Sequence, residues 1–319
     1  MPTRSNKNSL GQTGLHDVPL FNSSSGVMDS TDPVRLGEDA LAKAENVVLD
    51  ISGAIKRRDG MVLMSSSNCH SLFSCGKYGL GVFDGVLSLI ESDLSITSLV
   101  TVGMNRVSYV LVFDGMNDVV FFSSKSHNGK VVNKEYTPWL VDTPASIDST
   151  LAQIGEWHYS TPKGQLLEIF NGRMYIASSN VLYFSELYDF SQFRSISPFI
   201  FDKDITMIHG ISTGMFVGTL DAVYFLHGVD PNEFALKRVY SSGAVLGTSV
   251  KLSASDILSQ MPGDVIVFSI DGKGICIGDS GGNVSNLTKV PISFPNSTFG
   301  ACCVNKDNQY IVSLASNGG

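Results

Sequence analysis

From about residue 46 onward, short runs of Val, Ile, Leu, Phe and Tyr follow one another, each closed off by Gly, Asn, Asp or Ser. Runs of that length bounded by turn formers predict strands joined by hairpins. The hairpins also resemble one another. Val82-Phe83-Asp84-Gly85 before Val86-Leu87-Ser88-Leu89 is echoed by Val112-Phe113-Asp114-Gly115 before Val119-Val120-Phe121-Phe122. Met174-Tyr175-Ile176-Ala177, with Val181-Leu182-Tyr183-Phe184 after it, is echoed by Met215-Phe216-Val217-Gly218 with Val223-Tyr224-Phe225-Leu226. Ile266-Val267-Phe268-Ser269 with Ile275-Cys276-Ile277-Gly278 makes a fifth hairpin, and Tyr310-Ile311-Val312-Ser313 begins a sixth. Anchored on Leu80, Val110, Met174, Met215, Ile266 and Tyr310, the repeat averages roughly 46 residues, the length of a propeller blade.

One small twisted sheet cannot bury both of its faces, so units of this kind stack around an axis and cover each other. The expected fold is all-β: a β-propeller-like ring of about six small antiparallel sheets, with two β-sandwiches as the alternative. The body spans 45–319. An early strand at 46–50 is expected to complete the last, shortened sheet, and the apolar run 107–113 reads as an inner strand buried on both faces. The stretch at about 124–164, with Pro138, Trp139, Pro144, Trp157 and Pro162, reads as an insertion between blades. Residues 1–44 form an extended arm, polar and without period, ending in a short helix at 38–44.

Composition narrows the function. The 319 residues are only 16% charged, with a net charge of −8, which argues against disorder and against a dedicated nucleic-acid binder. No apolar stretch follows Arg4 and Lys7 as in a secretory signal, and no eighteen apolar residues run together, so no membrane partner is expected. Cys69, Cys75, Cys276, Cys302 and Cys303 match no zinc spacing and read as free thiols. No metal or other cofactor is expected.

Candidate chemistry is sparse. Gly278-Asp279-Ser280-Gly281-Gly282 is identical to the short signature around a trypsin-like nucleophile, but no His-bearing partner segment accompanies it and the composition is that of a turn. Asp84 and Asp114 form a conceivable carboxylate pair for glycosidase work, although each sits in an Asp-Gly hairpin turn. The single basic cluster, Lys56-Arg57-Arg58, is either a solvated hairpin tip or a contact for phosphate or an acidic neighbour. No catalytic residues are assigned, and the chain reads as a non-enzyme.

The segment Asp32-Pro33-Val34-Arg35-Leu36, then residues 44–60 with Ala44-Glu45-Asn46-Val47 leading into a hairpin that ends Arg57-Arg58-Asp59-Gly60, resembles the opening of virion proteins of tailed bacteriophages. The same order continues through Asn171-Gly172-Arg173-Met174, Val181 to Glu186, Met215 to Thr219, Tyr224 to Gly228, Asp230-Pro231, Gly243 to Thr248, Gly274 to Gly278 and Asn286-Leu287-Thr288. The class resembled includes the propeller-like tail hub, or DNA-stabilisation, proteins of short-tailed phages. The resemblance implies a non-catalytic ring of copies in the tail or head–tail connector, continuing and sealing the DNA channel. It implies portal, adaptor and tail neighbours, and packaged DNA passing without sequence-specific binding. It also implies a virion location after assembly in the host bacterial cytoplasm. Lys56, Arg57, Arg58, Trp139 and Trp157 are then the subunit or DNA contacts to examine. The competing expectation is a glycan-binding or glycan-hydrolysing propeller, with Trp139 and Trp157 as platforms beside Asp142 and Glu156.

Overall fold

In the computed structural model the described residues are 25–29, 32–37, 40–45, 47–49, 54–57, 62–140, 161–194, 198–253, 263–288, 292–305 and 309–315. The chain divides into two units, one of Met1–Val62 with Val290–Ser293, the other of Leu63–Lys289 with Phe294–Gly319.

Among its described residues the smaller unit contains two short pairings. Gly26–Val27 runs parallel to Ala40–Leu41, and Val47–Leu49 runs antiparallel to Ile55–Arg57. The expected helix at 38–44 is therefore not formed: Ala40 and Leu41 are extended. Asp32 instead caps a single 3-10 turn, Pro33–Arg35, its Oδ1 accepting from the Val34 N–H at 3.1 Å. Pro33 at the first position explains the choice, since its fixed φ suits a turn start. The strand expected to close the last sheet pairs locally with Ile55–Arg57 instead, because a hairpin partner eight residues away costs little loop entropy. The arm at 1–24 lies outside the described residues.

The larger unit holds six sheets, all antiparallel. Cys69–Ser74, Gly79–Phe83, Val86–Ile90 and Ile96–Thr101 form sheet I. Ser108–Phe113, Asp118–Ser123, Asn128–Val132 and Glu135–Thr137 form sheet II. Leu166–Phe170, Arg173–Ser178, Val181–Glu186 and Asp189–Phe193 form sheet III, with Phe199–Ile200 added beside Val181–Glu186. Ile205–Ile211, Gly214–Thr219, Val223–His227 and Ala235–Tyr240 form sheet IV. Val250–Ser253, Asp264–Ile270, Gly274–Gly278 and Val284–Asn286 form sheet V. Sheet VI has two described strands, Gly300–Val304 and Tyr310–Leu314.

Side-chain alternation turns these sheets into a stack. On the second strand of sheet II, Val120 and Phe122 face the core shared with Leu80, Val82 and Leu87 of sheet I. Val119 and Phe121 face the other way, onto Leu167, Met174 and Ile176 of sheet III. Tyr175 and Ala177 of sheet III meet Met215 and Val217 of sheet IV, while Phe216 points to Ile266 and Phe268 of sheet V. Val265 and Val267 then pack toward Tyr310 of sheet VI. Successive residues on a strand point to opposite faces, so each second strand fills two cores and must be apolar throughout. Met215 to Thr219 is accordingly buried at every position.

Three details differ from expectation. Ser108–Phe113 is not buried on both faces; it pairs on one edge only, and its Phe113 is exposed. The buried counterpart of Met174 and Met215 in sheet II is Val120 rather than Val110, which evens the repeat spacing. Residues 124–140 belong mostly to sheet II, whose third and fourth strands they supply, so any insertion is confined to the stretch after Leu140.

Candidate functional site: the channel between the sheets

The first strands of the sheets converge on a small cavity of about 210 Å³ that takes lining residues from all six: Ser71, Ser108, Leu166, His209, Ser249 and Cys302 among them. Its polar content is organised around one carboxylate. Glu168 Oε2 lies 3.1 Å from His209 Nδ1, and the other imidazole nitrogen, Nε2, lies 3.0 Å from Ser249 Oγ. Lys251 Nζ donates to Glu168 Oε1 at 3.2 Å and to the Gly210 carbonyl at 3.3 Å. The chain of contacts laces sheets III, IV and V together across the channel.

Hydroxyl, imidazole and carboxylate stand here in the order of a hydrolytic relay, which also needs N–H donors converging where an oxyanion would form. The surroundings of Ser249 are of another kind. Its carbonyl accepts from Cys302 Sγ at 3.6 Å, and the nearby Gly247 carbonyl accepts from Arg106 at 3.4 Å. Burial raises the Cys302 thiol to about 11 although Arg106 pulls it down, so the thiol is protonated at neutral pH. What the arrangement does chemically is to satisfy a largely buried Glu168 and His209 with each other, with the more exposed Lys251 on the carboxylate's other oxygen.

The residues singled out in the sequence are dispersed. Lys56 and Arg57 lie on the exposed strand of the small hairpin in the first unit, and Arg58 lies outside the described residues. Trp139 is 4% exposed. Its Nε1 donates to the Phe190 carbonyl at 2.9 Å, and its ring meets Phe121 and Phe193 edge-on. It is a core residue of sheets II and III, not a surface contact or a sugar platform. A large indole with a backbone carbonyl in reach is more stably placed inside. Trp157, Asp142 and Glu156 lie outside the described residues. Asp84 and Asp114 sit in turns of different kinds, one between second and third strands, the other between first and second, which places them at opposite ends of their sheets. Asp114 Oδ1 accepts from the Met116 and Asn117 N–H groups, which hold its carboxyl below the usual range. The protease-like pentapeptide is the turn before the last strand of sheet V, with Asp279 Oδ1 accepting from Gly281 and Asn283 N–H at 2.9 Å.

The Glu168–His209–Ser249 chain went unforeseen because its members are about 40 residues apart. The only signal available was that His209 recurs at the same strand position as Glu168.

Six small antiparallel sheets stacked face to face around a common channel define a β-propeller-like fold. Solved structures share it. The extracellular domain of a one component system from B. thetaiotaomicron aligns with a TM-score of 0.50 at 12% identity, covering 80% of this chain and 32% of its own. A second structure of the same protein, there described as a hybrid two component system, aligns at 0.50 and 11%, again over 80% and 32%. This chain thus spans about a third of the length of that extracellular domain. The likeness is one of fold alone. No family model matches the chain, and no curated protein does.

Proposed function

We propose that this chain is a non-catalytic virion subunit of a tailed bacteriophage, forming a ring with copies of itself in the tail or head–tail connector. Neighbouring portal, adaptor or tail proteins cover its ends, and packaged DNA passes the assembled ring without sequence-specific contact. The reading rests first on the ordered resemblance across residues 32–288.

The structural observation that carries it is the character of the two ends of the six-sheet unit. Turns between first and second strands, and between third and fourth, share one end. Lys77–Asp118 at 3.0 Å, Lys134–Glu91 at 2.8 Å and Asn171 donating to the Val229 carbonyl at 2.9 Å join such turns between neighbouring sheets. That end presents Leu94, Phe113, Met116, Leu187, Tyr188 and Val229, with Met116 89% and Tyr188 79% exposed. The opposite end presents Met104, Ile200, Leu220 and Phe299. Large apolar groups exposed on both ends of a rigid β body suit a subunit held between neighbours above and below.

Electron microscopy of native particles labelled with an antibody to this chain tests the proposal. A labelled ring between capsid and tail is expected. A chain absent from every particle and monodisperse as a monomer at high concentration sinks it.

A further inference from the structure

Five buried apolar cores join the sheets in sequence, I to II through V to VI. Between sheets VI and I stands instead a cavity of about 820 Å³, the size of a small-molecule site. Its walls are mostly apolar: Leu72, Met104, Leu246, Phe299 and Ile311. Leu72 is 67% exposed because the first strand of sheet I bulges there, with Ser71 at φ +53°. A bulge aimed into a cavity places an apolar side chain where a flat strand would not.

Among the described residues, one cation enters this cavity and no carboxylate lines it. Arg106, on the connection from sheet I to sheet II, donates to the Gly300 carbonyl at 2.9 Å and the Gly247 carbonyl at 3.4 Å. Both partners are neutral, and among the described residues no acid pairs with it. A half-buried guanidinium held only by carbonyls retains free donors in a fork that matches a carboxylate. Beside it, His70 lines the wall with Nε2 covered, and adds no competing charge. Ser71 Oγ accepts from the Val107 N–H at 3.0 Å, so its own hydrogen is free for His70 Nδ1 at 2.9 Å. That arrangement puts the imidazole proton on Nε2, which is buried without a partner. Burial and Arg106 both lower the His70 pKa, so the positive potential in the cavity comes from Arg106.

We propose that the cavity between sheets VI and I binds an aliphatic monocarboxylate, its carboxylate on Arg106 and its chain along Leu72, Met104, Phe299 and Ile311. Neither half of the site suffices alone. An apolar cleft without Arg106 would take neutral chains equally well, and a guanidinium in a polar cleft would take inorganic anions. The site is independent of the virion reading.

Isothermal titration of the full chain with decanoate, decanol, decyltrimethylammonium and inorganic phosphate tests it. Decanoate is expected to bind at least ten-fold more tightly than any of the other three. Arg106→Gln should remove that preference and leave decanol binding unchanged, whereas Leu72→Asp should weaken both decanoate and decanol. Thermal melts report whether each variant is folded, and Arg106→Lys, which keeps the charge but not the fork, should retain part of the preference. Equal binding of decanoate and decanol, or an unchanged decanoate affinity in folded Arg106→Gln, overturns the assignment. So does an absence of decanoate binding.

Discussion

His209 Nδ1 lies 3.1 Å from Glu168 Oε2, joining the first strands of sheets III and IV side chain to side chain inside the channel. The same carboxylate holds Lys251 from the next sheet on its other oxygen. One acid therefore neutralises or satisfies two basic groups drawn from two neighbouring sheets. Removing it strands His209, and a buried donor left without its partner costs more than the bond itself contributed, whereas the exposed Lys251 turns to water.

Glu168→Gln keeps the shape and removes the charge. It is expected to lower stability by about 1–3 kcal/mol, read as a drop in the urea midpoint at unchanged slope. Ser249→Ala, at the far end of the chain of contacts, should cost about 1 kcal/mol or less. Adding Lys251→Met to Glu168→Gln should change the midpoint little further, because the Lys251 side chain is 38% exposed and water takes its charge. Equal midpoints for wild type and Glu168→Gln would show that the pairing is ornamental.

Trp139 fills the core between sheets II and III and satisfies its own N–H there. Trp139→Ala is expected to cost about 3–5 kcal/mol, the range for deleting a buried indole. A surface contact residue would cost almost nothing, so the urea midpoint separates the two roles.

The sheets were legible in the sequence because the chemistry that forms them is local. Val119-Val120-Phe121-Phe122 is apolar without a break, and only a strand with a core on each face asks for that. Strand order within a sheet is less legible. Val110 and Val120 lie in similar runs, but the first sits on an edge strand beside the channel and the second inside its sheet. Lys130-Val131-Val132 and Glu135-Tyr136-Thr137 looked like insertion because outer strands are half exposed and carry no continuous apolar run. The channel cluster was illegible for a different reason. Glu168, His209 and Ser249 meet through the stacking of sheets, which no local spacing encodes, and Arg106 looks from the sequence like any loop arginine.

Gly247 illustrates a constraint of the same nonlocal kind. Its φ is +83°, and a Cβ there would fall 2.1 Å from Arg106 Nη1. Gly247→Ala is expected to cost about 1–3 kcal/mol of backbone strain and to push Arg106 off its carbonyls. A melting temperature within error of wild type would contradict that placement.

The five cysteines are all free and differ in environment. Burial raises Cys75, Cys276 and Cys302 to about 11 from an ordinary 9.0, while Cys69 and Cys303 are exposed. A disulfide-exchange reagent at pH 8 should consume two thiols quickly and three only after denaturant is added, since the thiolate is the reactive form. Five thiols reacting in one phase would refute this partition. The same shifts fix the alkaline limit. Raised pKa values mean the unfolded chain releases protons first, so this contribution is intact below about pH 9. It is lost as pH climbs toward 11. Tyr78 and Tyr310, pushed up to about 12, extend the decline. Urea midpoints should therefore fall steadily above pH 9, and a flat profile to pH 11 would mean these groups are solvated.

The exposed ends yield the last prediction. Met116 and Tyr188 stand on turns of sheets II and III whose backbones are fixed by other groups: Asp114 Oδ1 caps the first, and the Tyr188 N–H donates to the Gly172 carbonyl in the second. Replacing either side chain by Asp removes apolar surface already in water, so the folded chain loses little, on the order of 0.5 kcal/mol. If that end is an interface, a charge at its centre is costly to bury and the complex is lost. Met116→Asp and Tyr188→Asp are thus expected to keep the wild-type melting temperature while abolishing docking to the neighbouring protein at that end, followed by negative-stain microscopy of particles carrying each variant. Tyr188 has the stricter test, because its φ of +56° lies in the left-handed region, where Asp is tolerated better than a bulky residue. Tyr188→Asp should then fold at least as well as wild type. Normal assembly of both variants would remove this end of the molecule from the proposed interface.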